Sequence, residues 1–130
     1  MRQLVYISTG SFDLEESEVA DILATSLRKN PERGLTGFLI YNGRNFLQLL
    51  EGEADKIELL MDELAQDSRH HGLVRIEDVA IEHRRFEDWT MRRFELSADI
   101  SVRRQKLKEW LPEGFDERVM RTVMNFAALN

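Results

Sequence analysis

The stretch GLTGFLIYNGRNFLQLLEG, residues 34–52, constrains the fold more than any other part of the chain. Two apolar runs flank Asn42-Gly43, a dipeptide that suits a tight type I′ turn because both central residues there take positive φ. The spacing predicts a β-hairpin at 42–43. A hairpin alone is marginal in water, so other strands or a helix must cover its apolar surface. Alternation along its second strand puts Phe46, Gln48 and Leu50 on one face. Burying the Gln48 carboxamide without a partner costs about 1–3 kcal/mol, so the side chain must face solvent, a polar neighbour in the core, or a ligand.

The rest of the chain supplies the missing cover. QLVYIS reads as a strand with Leu4, Tyr6 and Ser8 on one face and Val5 and Ile7 on the other. Glu15–Lys29 forms a helical pattern with Val19, Ile22, Leu23 and Leu27 as its apolar stripe and acidic residues in the first turn, where the helix dipole favours them. Ser26 and Asn30 fall on the same stripe. Asn30 stands before Pro31, which reads as a helix end. Glu53–Gln66 gives a second amphipathic helix through Ile57, Leu60, Met61 and Leu64, and Leu73–His83 and Trp89–Leu96 read as strands.

The order β-α-β-β-α-β plus one further strand predicts a ferredoxin-like α+β fold, with two helices on one face of the sheet because right-handed crossovers place them there. From Ala98 the pattern is helical again: one helix ends near Trp110 and another runs from Asp116 to Leu129, separated by LPEGF. The second carries a stripe of Val119, Val123, Phe126 and Ala127, which needs the free face of the sheet or a second subunit to cover it. Residues 1–97 are therefore expected to form the domain, and 98–130 a helical extension for oligomerisation or signal output.

Composition narrows the function classes. With 130 residues and 42% hydrophobic content the chain makes one domain with a sizeable core. A net charge of −6 argues against a general grip on nucleic acid or an anionic membrane. The local basic run HRRFEDWTMRR is interleaved with Glu87 and Asp88 and reads as a solvated turn. No run approaches the ~18 apolar residues of a membrane span, and no leader-like segment precedes the first strand, so a cytoplasmic protein is expected. The absence of Cys excludes disulfides, thiolate metal sites and a cysteinyl–flavin adduct. The three His lack the i,i+4 spacing of a helical zinc pair, and no metal is expected.

Strand parity lets Tyr6, Ser8 and Gln48 converge beneath the two helices, with Asn30 at the end of the first; Trp89 and Met91 share parity on the last strand. Each has a plain reading. A strand Tyr is by default a core residue with a satisfied hydroxyl, a lone Gln is by default exposed, and Trp and Met are core filler. Taken together they offer a phenol and two carboxamides with no strong acid, base or nucleophile beside them. That set suits holding a flat heterocycle with alternating C=O and N–H groups. A small ferredoxin-like enzyme, such as an acyl-phosphate hydrolase or a cofactor-free oxygenase, remains open but needs a convergent anion site or catalytic His. A ligand-free oligomeric interaction domain is the third reading, and only the first of the three predicts a coloured protein.

Tyr6 in LVYIS, Asn30 in RKNPERGLTGFLIY, Gln48 in NFLQLLEG, the segment QDSRHH at 66–71 and RRFEDWTM at 84–91 together resemble the BLUF domains, blue-light sensors that bind a flavin non-covalently. The resemblance covers Met1–Leu96. It implies an isoalloxazine ring between the two helices, with FAD as the cofactor and FMN or riboflavin as alternatives. By the same resemblance Tyr6 is the photochemical electron and proton donor, Gln48 bridges Tyr6 and the flavin N5/O4 edge, and Asn30 holds the O2/N3 side. Ile22, Phe46 and Leu64 wall the pocket, Ser8 supports the Tyr–Gln region, and Lys29, Asp67, Arg69 and His70 lie toward the ribityl and phosphate end. Trp89 and Met91 exchange or shift on the strand that reports the signal. What the resemblance implies is a photoreceptor without catalytic turnover, in which a rearranged Gln48 shifts flavin absorption to the red. A homo-oligomer and a separate downstream signalling protein are the expected partners.

Overall fold

Among the described residues nine elements follow one another: β1 (Arg2–Gly10), α1 (Glu16–Arg33), β2 (Thr36–Tyr41), β3 (Asn45–Gly52), α2 (Ala54–Ala65), β4 (His70–Ala80), β5 (Arg92–Glu95), α3 (Ile100–Trp110) and α4 (Glu117–Ala128). They are taken from a computed structural model that describes residues 1–89, 91–114 and 116–128. Three positions within the sequence-based assignments, Thr90 in the expected last strand, Phe115 in LPEGF and Leu129 at the expected end of the tail, lie outside the described residues. The five strands form one sheet in the order β4-β1-β3-β2-β5. The first four pair antiparallel, and β5 adds in parallel to β2. This is the ferredoxin-like α+β arrangement expected from the element order.

The hairpin forms, with its turn one residue later than Asn42-Gly43 suggests. Tyr41 pairs with Phe46, and the Asn42 N–H donates to the Asn45 carbonyl at 3.1 Å, so Gly43 and Arg44 are the two central residues. Gly43 has φ 93° at the first central place, the one a type II′ turn reserves for Gly. The Asn42 side chain supplies the rest, its Oδ1 accepting from the N–H groups of Arg44 and Asn45 at 3.0 and 2.7 Å.

Helix α1 passes through Pro31 and ends at Arg33, four residues beyond the Lys29 boundary. Proline has no N–H to give the carbonyl four residues back, that of Leu27, but Leu27 sits on the exposed side where water can serve. The helix stops at Gly34, whose φ of 66° is left-handed and whose N–H returns to Pro31. Leu27 was expected in the apolar stripe; at 100° per residue it lies about 80° from Val19, while Ser26 and Asn30 lie nearer the stripe's centre.

Both faces of the sheet are covered over β1, β2 and β3, while the edge strand β4 is largely exposed. Leu4, Tyr6, Leu39, Phe46 and Leu50 pack with Val19, Ile57, Leu60 and Met61 beneath α1 and α2. The alternate residues Val5, Phe38, Ile40, Leu47 and Leu49 pack with Leu107, Leu111 and the stripe Val119, Val123, Phe126 and Ala127. The tail therefore closes the second face of the sheet. Each fully buried aliphatic side chain contributes about 1.5–3 kcal/mol, which makes β1, β2 and β3 the best anchored strands.

The last part of the sheet departs from the sequence reading. Strand β4 begins at His70 and ends at Ala80, three residues earlier at each end than Leu73–His83, and β5 starts only at Arg92. Trp89 and Met91 precede β5 and do not share a face: Met91 packs beneath the helices, whereas Trp89 packs among Phe38, Phe86 and Trp110 on the tail side. Strand parity does not apply to them because residues 81–89 cross the sheet end as an irregular connection. No helix among the described residues is long and apolar enough to cross a membrane.

Candidate functional site

Register sets the centre of the site. Gln48 on the middle strand β3 stands opposite Tyr6 on β1 and opposite Leu39 on β2. All three point beneath the helices. The Tyr6 hydroxyl donates to Gln48 Oε1 at 2.5 Å, and Gln48 Nε2 donates to Met91 Sδ at 3.3 Å. Gln48, 4% exposed, thus has both ends of its amide engaged, which removes the cost of burying it. Burial first, and the Asp67 carboxylate second, push the Tyr6 phenol well above its usual range. Tyr6 therefore stays a protonated donor toward Gln48.

A small cavity of about 20 Å³ adjoins this pair, lined by Tyr6, Ile22, Ser26, Leu39, Phe46, Gln48, Leu60, Leu64 and His70. It shares Ile22, Ser26, Leu60 and Leu64 with a cleft of about 310 Å³ between α1 and α2, whose polar rim includes Lys29, Asn30, Arg33, Glu63, Asp67 and Arg69. The inner wall is aliphatic and aromatic; the outer rim is charged. The Arg33 guanidinium donates to both Glu63 oxygens at 2.7 and 2.8 Å, tying α1 to α2 at the rim. Arg69 likewise hydrogen-bonds Asp67, which holds the Asp67 carboxyl below its usual range. The buried Ser8 hydroxyl lies 3.1 Å from His70 Nδ1. Burial lowers the His70 pKa, opposed by Asp67 and assisted by Arg69 and His71.

The structure brings together most of the residues singled out from the sequence. Tyr6, Ile22, Phe46, Gln48, Leu64 and His70 line the inner cavity, and Lys29, Asn30, Asp67 and Arg69 line the outer cleft. Ser8 lies behind His70, and Met91 touches Gln48 from the other side. Trp89 is not brought to the site. Sequence reasoning missed Arg33 because it ended α1 at Lys29, and without Arg33 nothing singled out its partner Glu63 on α2. The signal was present: Ile22, Ser26, Lys29 and Arg33 recur at one helical face once the helix is carried through Pro31.

A phenol and a carboxamide at the floor, a second buried carboxamide, cations at the rim and an apolar wall between them offer the donors and acceptors that a planar, hydrogen-bonding ring with a polar tail would need. The family model for BLUF, sensors of blue light using FAD, matches residues 1–92. The chain belongs to the BLUF family. Among BLUF relatives, the blue light- and temperature-regulated antirepressor BluF of Escherichia coli is 30% identical over 93 residues, 72% of this chain and 23% of that protein. The chain thus spans about a quarter of that relative's length. The structure of Klebsiella pneumoniae BlrP1 with FMN and cyclic diGMP superposes with a TM-score of 0.84 at 27% identity, over 98% of this chain and 34% of that one. The dark-state structure of the BLUF protein BlrB superposes with a TM-score of 0.74 at 26% identity, over 98% of this chain and 96% of that one.

Proposed function

We propose that this chain is a blue-light photoreceptor in which residues 1–97 hold a flavin between α1 and α2 and the helical extension 98–130 carries the output. The hydrogen bond from Tyr6 to Gln48 carries this reading: it joins a phenol that can give up an electron and a proton to an amide that can turn. Asn30 and Gln48 would hold the two hydrogen-bonding edges of the ring, Ile22, Phe46 and Leu64 its faces, and Lys29 and Arg69 the anionic tail. A bound flavin supplies, on absorbing blue light, an oxidant strong enough to take an electron from a phenol.

The protein residues do the rest. Tyr6 would give an electron to that oxidant and pass its hydroxyl proton toward Gln48 Oε1, then regain both. Gln48 is left with its amide rearranged or tautomerised, so that its contacts with Tyr6 and Met91 change together. A hydrogen bond altered by about 1–3 kcal/mol shifts a two-state element roughly tenfold or more. FAD is the flavin favoured by the family's description, with FMN and riboflavin the alternatives, and the lining cations favour a flavin bearing phosphate.

The change passes to a separate signalling protein or to self-assembly of the chain, without catalytic turnover by the sensor. The cytoplasm is the compartment proposed for it. The test is an absorption spectrum of the flavin-loaded protein in the dark and after blue light. A reversible red shift is expected; a flavin band that does not move, or a protein that binds no flavin, would overturn the proposal.

A further inference from the structure

Glu51 is fully buried, an acidic side chain on the tail-covered side of β3 that neither the sequence reading nor the photochemistry uses. Both its oxygens are engaged. One accepts the Phe86 N–H at 3.0 Å and the Thr36 hydroxyl at 3.1 Å, and the other accepts the Arg85 N–H at 2.7 Å. Arg84 closes over the same point, its guanidinium donating to Thr36 Oγ1 at 2.8 Å, to the Glu51 carbonyl at 2.9 Å and to the Gly34 carbonyl at 2.5 Å. Two backbone N–H groups cannot turn into acceptors, so the position needs two acceptor oxygens. A carboxylate supplies them and an amide does not.

From this anchor the chain is fastened step by step to Gln48. The Trp89 N–H donates to the Phe86 carbonyl at 2.9 Å, and the Trp89 carbonyl accepts from Gly37 at 2.8 Å. Gly37 has φ 148°, and a Cβ there would lie 1.8 Å from the Leu49 carbonyl oxygen, so only glycine permits that close crossing. Met91 then accepts from Gln48 at 3.3 Å. Residues 84–89 are thus pinned by Glu51 and Gly37, and Met91, two residues on, meets the amide.

We infer that Glu51 is a positioning residue for the light switch, holding residues 84–89 where Met91 Sδ can engage the Gln48 amide. This rests on the proposed photochemistry. With the anchor weakened, Met91 holds the amide less firmly and the amide turns back more easily in the dark. The experiment compares flavin-loaded full-length wild type, Glu51→Gln, Met91→Ala and the double variant. Glu51→Gln is expected to speed dark recovery at least threefold, and the double variant to recover no faster than Met91→Ala alone, because Glu51 acts through Met91.

A wild-type recovery rate in Glu51→Gln, or effects that multiply in the double variant, overturns the inference; a fall in melting temperature alone does not support it. If Glu51→Gln fails to fold, Thr36→Val, which deletes a hydroxyl donor to Glu51, takes its place in the same cycle. The Gln48 side-chain N–H resonances, read by NMR in the dark, are expected to move in the same direction in Glu51→Gln and Met91→Ala. Unmoved resonances in Glu51→Gln overturn the inference by a route that needs no light. A wild type without a red shift would instead overturn the photoreceptor reading, leaving the resonances to judge the anchor.

Discussion

Along β3, Phe46, Gln48 and Leu50 turn toward α1 and α2, while Leu47 and Leu49 turn toward the tail. The first face carries a phenol, an amide, a hydroxyl, an imidazole and a thioether, joined by hydrogen bonds and opening into a cleft. The second is packed with aliphatic and aromatic side chains, among them Phe38, Phe86, Trp89 and Trp110 with ring centroids 4.5 to 6.3 Å apart. Alternation along one strand thus separates the face proposed to hold a ligand from the face packed with apolar side chains. On β3 the buried Glu51 interrupts the second face, and the role inferred for it is to grip the segment that crosses between the two.

The sharpest way to test this division is to remove chemistry from the first face while keeping its shape. Tyr6→Phe and Gln48→Leu are each expected to retain flavin and to lose the light-induced red shift completely, as read from light-minus-dark absorption spectra. A normal shift in either would break the assignment of the switch to that face. On the second face the effect should be on stability. Phe38 is fully buried, and Phe38→Ala should cost about 3–5 kcal/mol in urea unfolding while any flavin bound to the folded protein still shows its red shift.

A smaller effect separates the faces by pH. Because burial lowers the His70 pKa below 6.5, the unfolded chain takes up the proton first, and stability should fall as pH drops from 6.5 toward the folded value while staying level above 6.5. His70→Gln should flatten that slope in urea midpoints measured between pH 8 and about 5.5. An unchanged slope would place the pH response elsewhere. The smallest effect is expected at the rim, where Glu63 is 44% exposed opposite Arg33. Glu63→Gln should cost no more than about 1 kcal/mol, and a larger loss would mean that the rim tie contributes to the closed core of the helix face.

The sequence by itself determined the element order, the hairpin, the two covering helices and the tail's need for a surface, because each is a local matter of periodicity, turn chemistry and apolar stripes. It also pointed to Tyr6 and Gln48, since a polar residue in a buried strand demands a partner and alternation says which way it faces. Tertiary structure decided what no local pattern encodes. The register of β1 against β3 put the phenol opposite the amide, the exposed side of α1 at Leu27 let the helix run past a proline, and the irregular crossing at 81–89 sent Trp89 and Met91 to opposite faces. Glu51 was unreadable for the same reason: its partners are backbone N–H groups more than thirty residues away, and backbone donors leave no mark in a sequence.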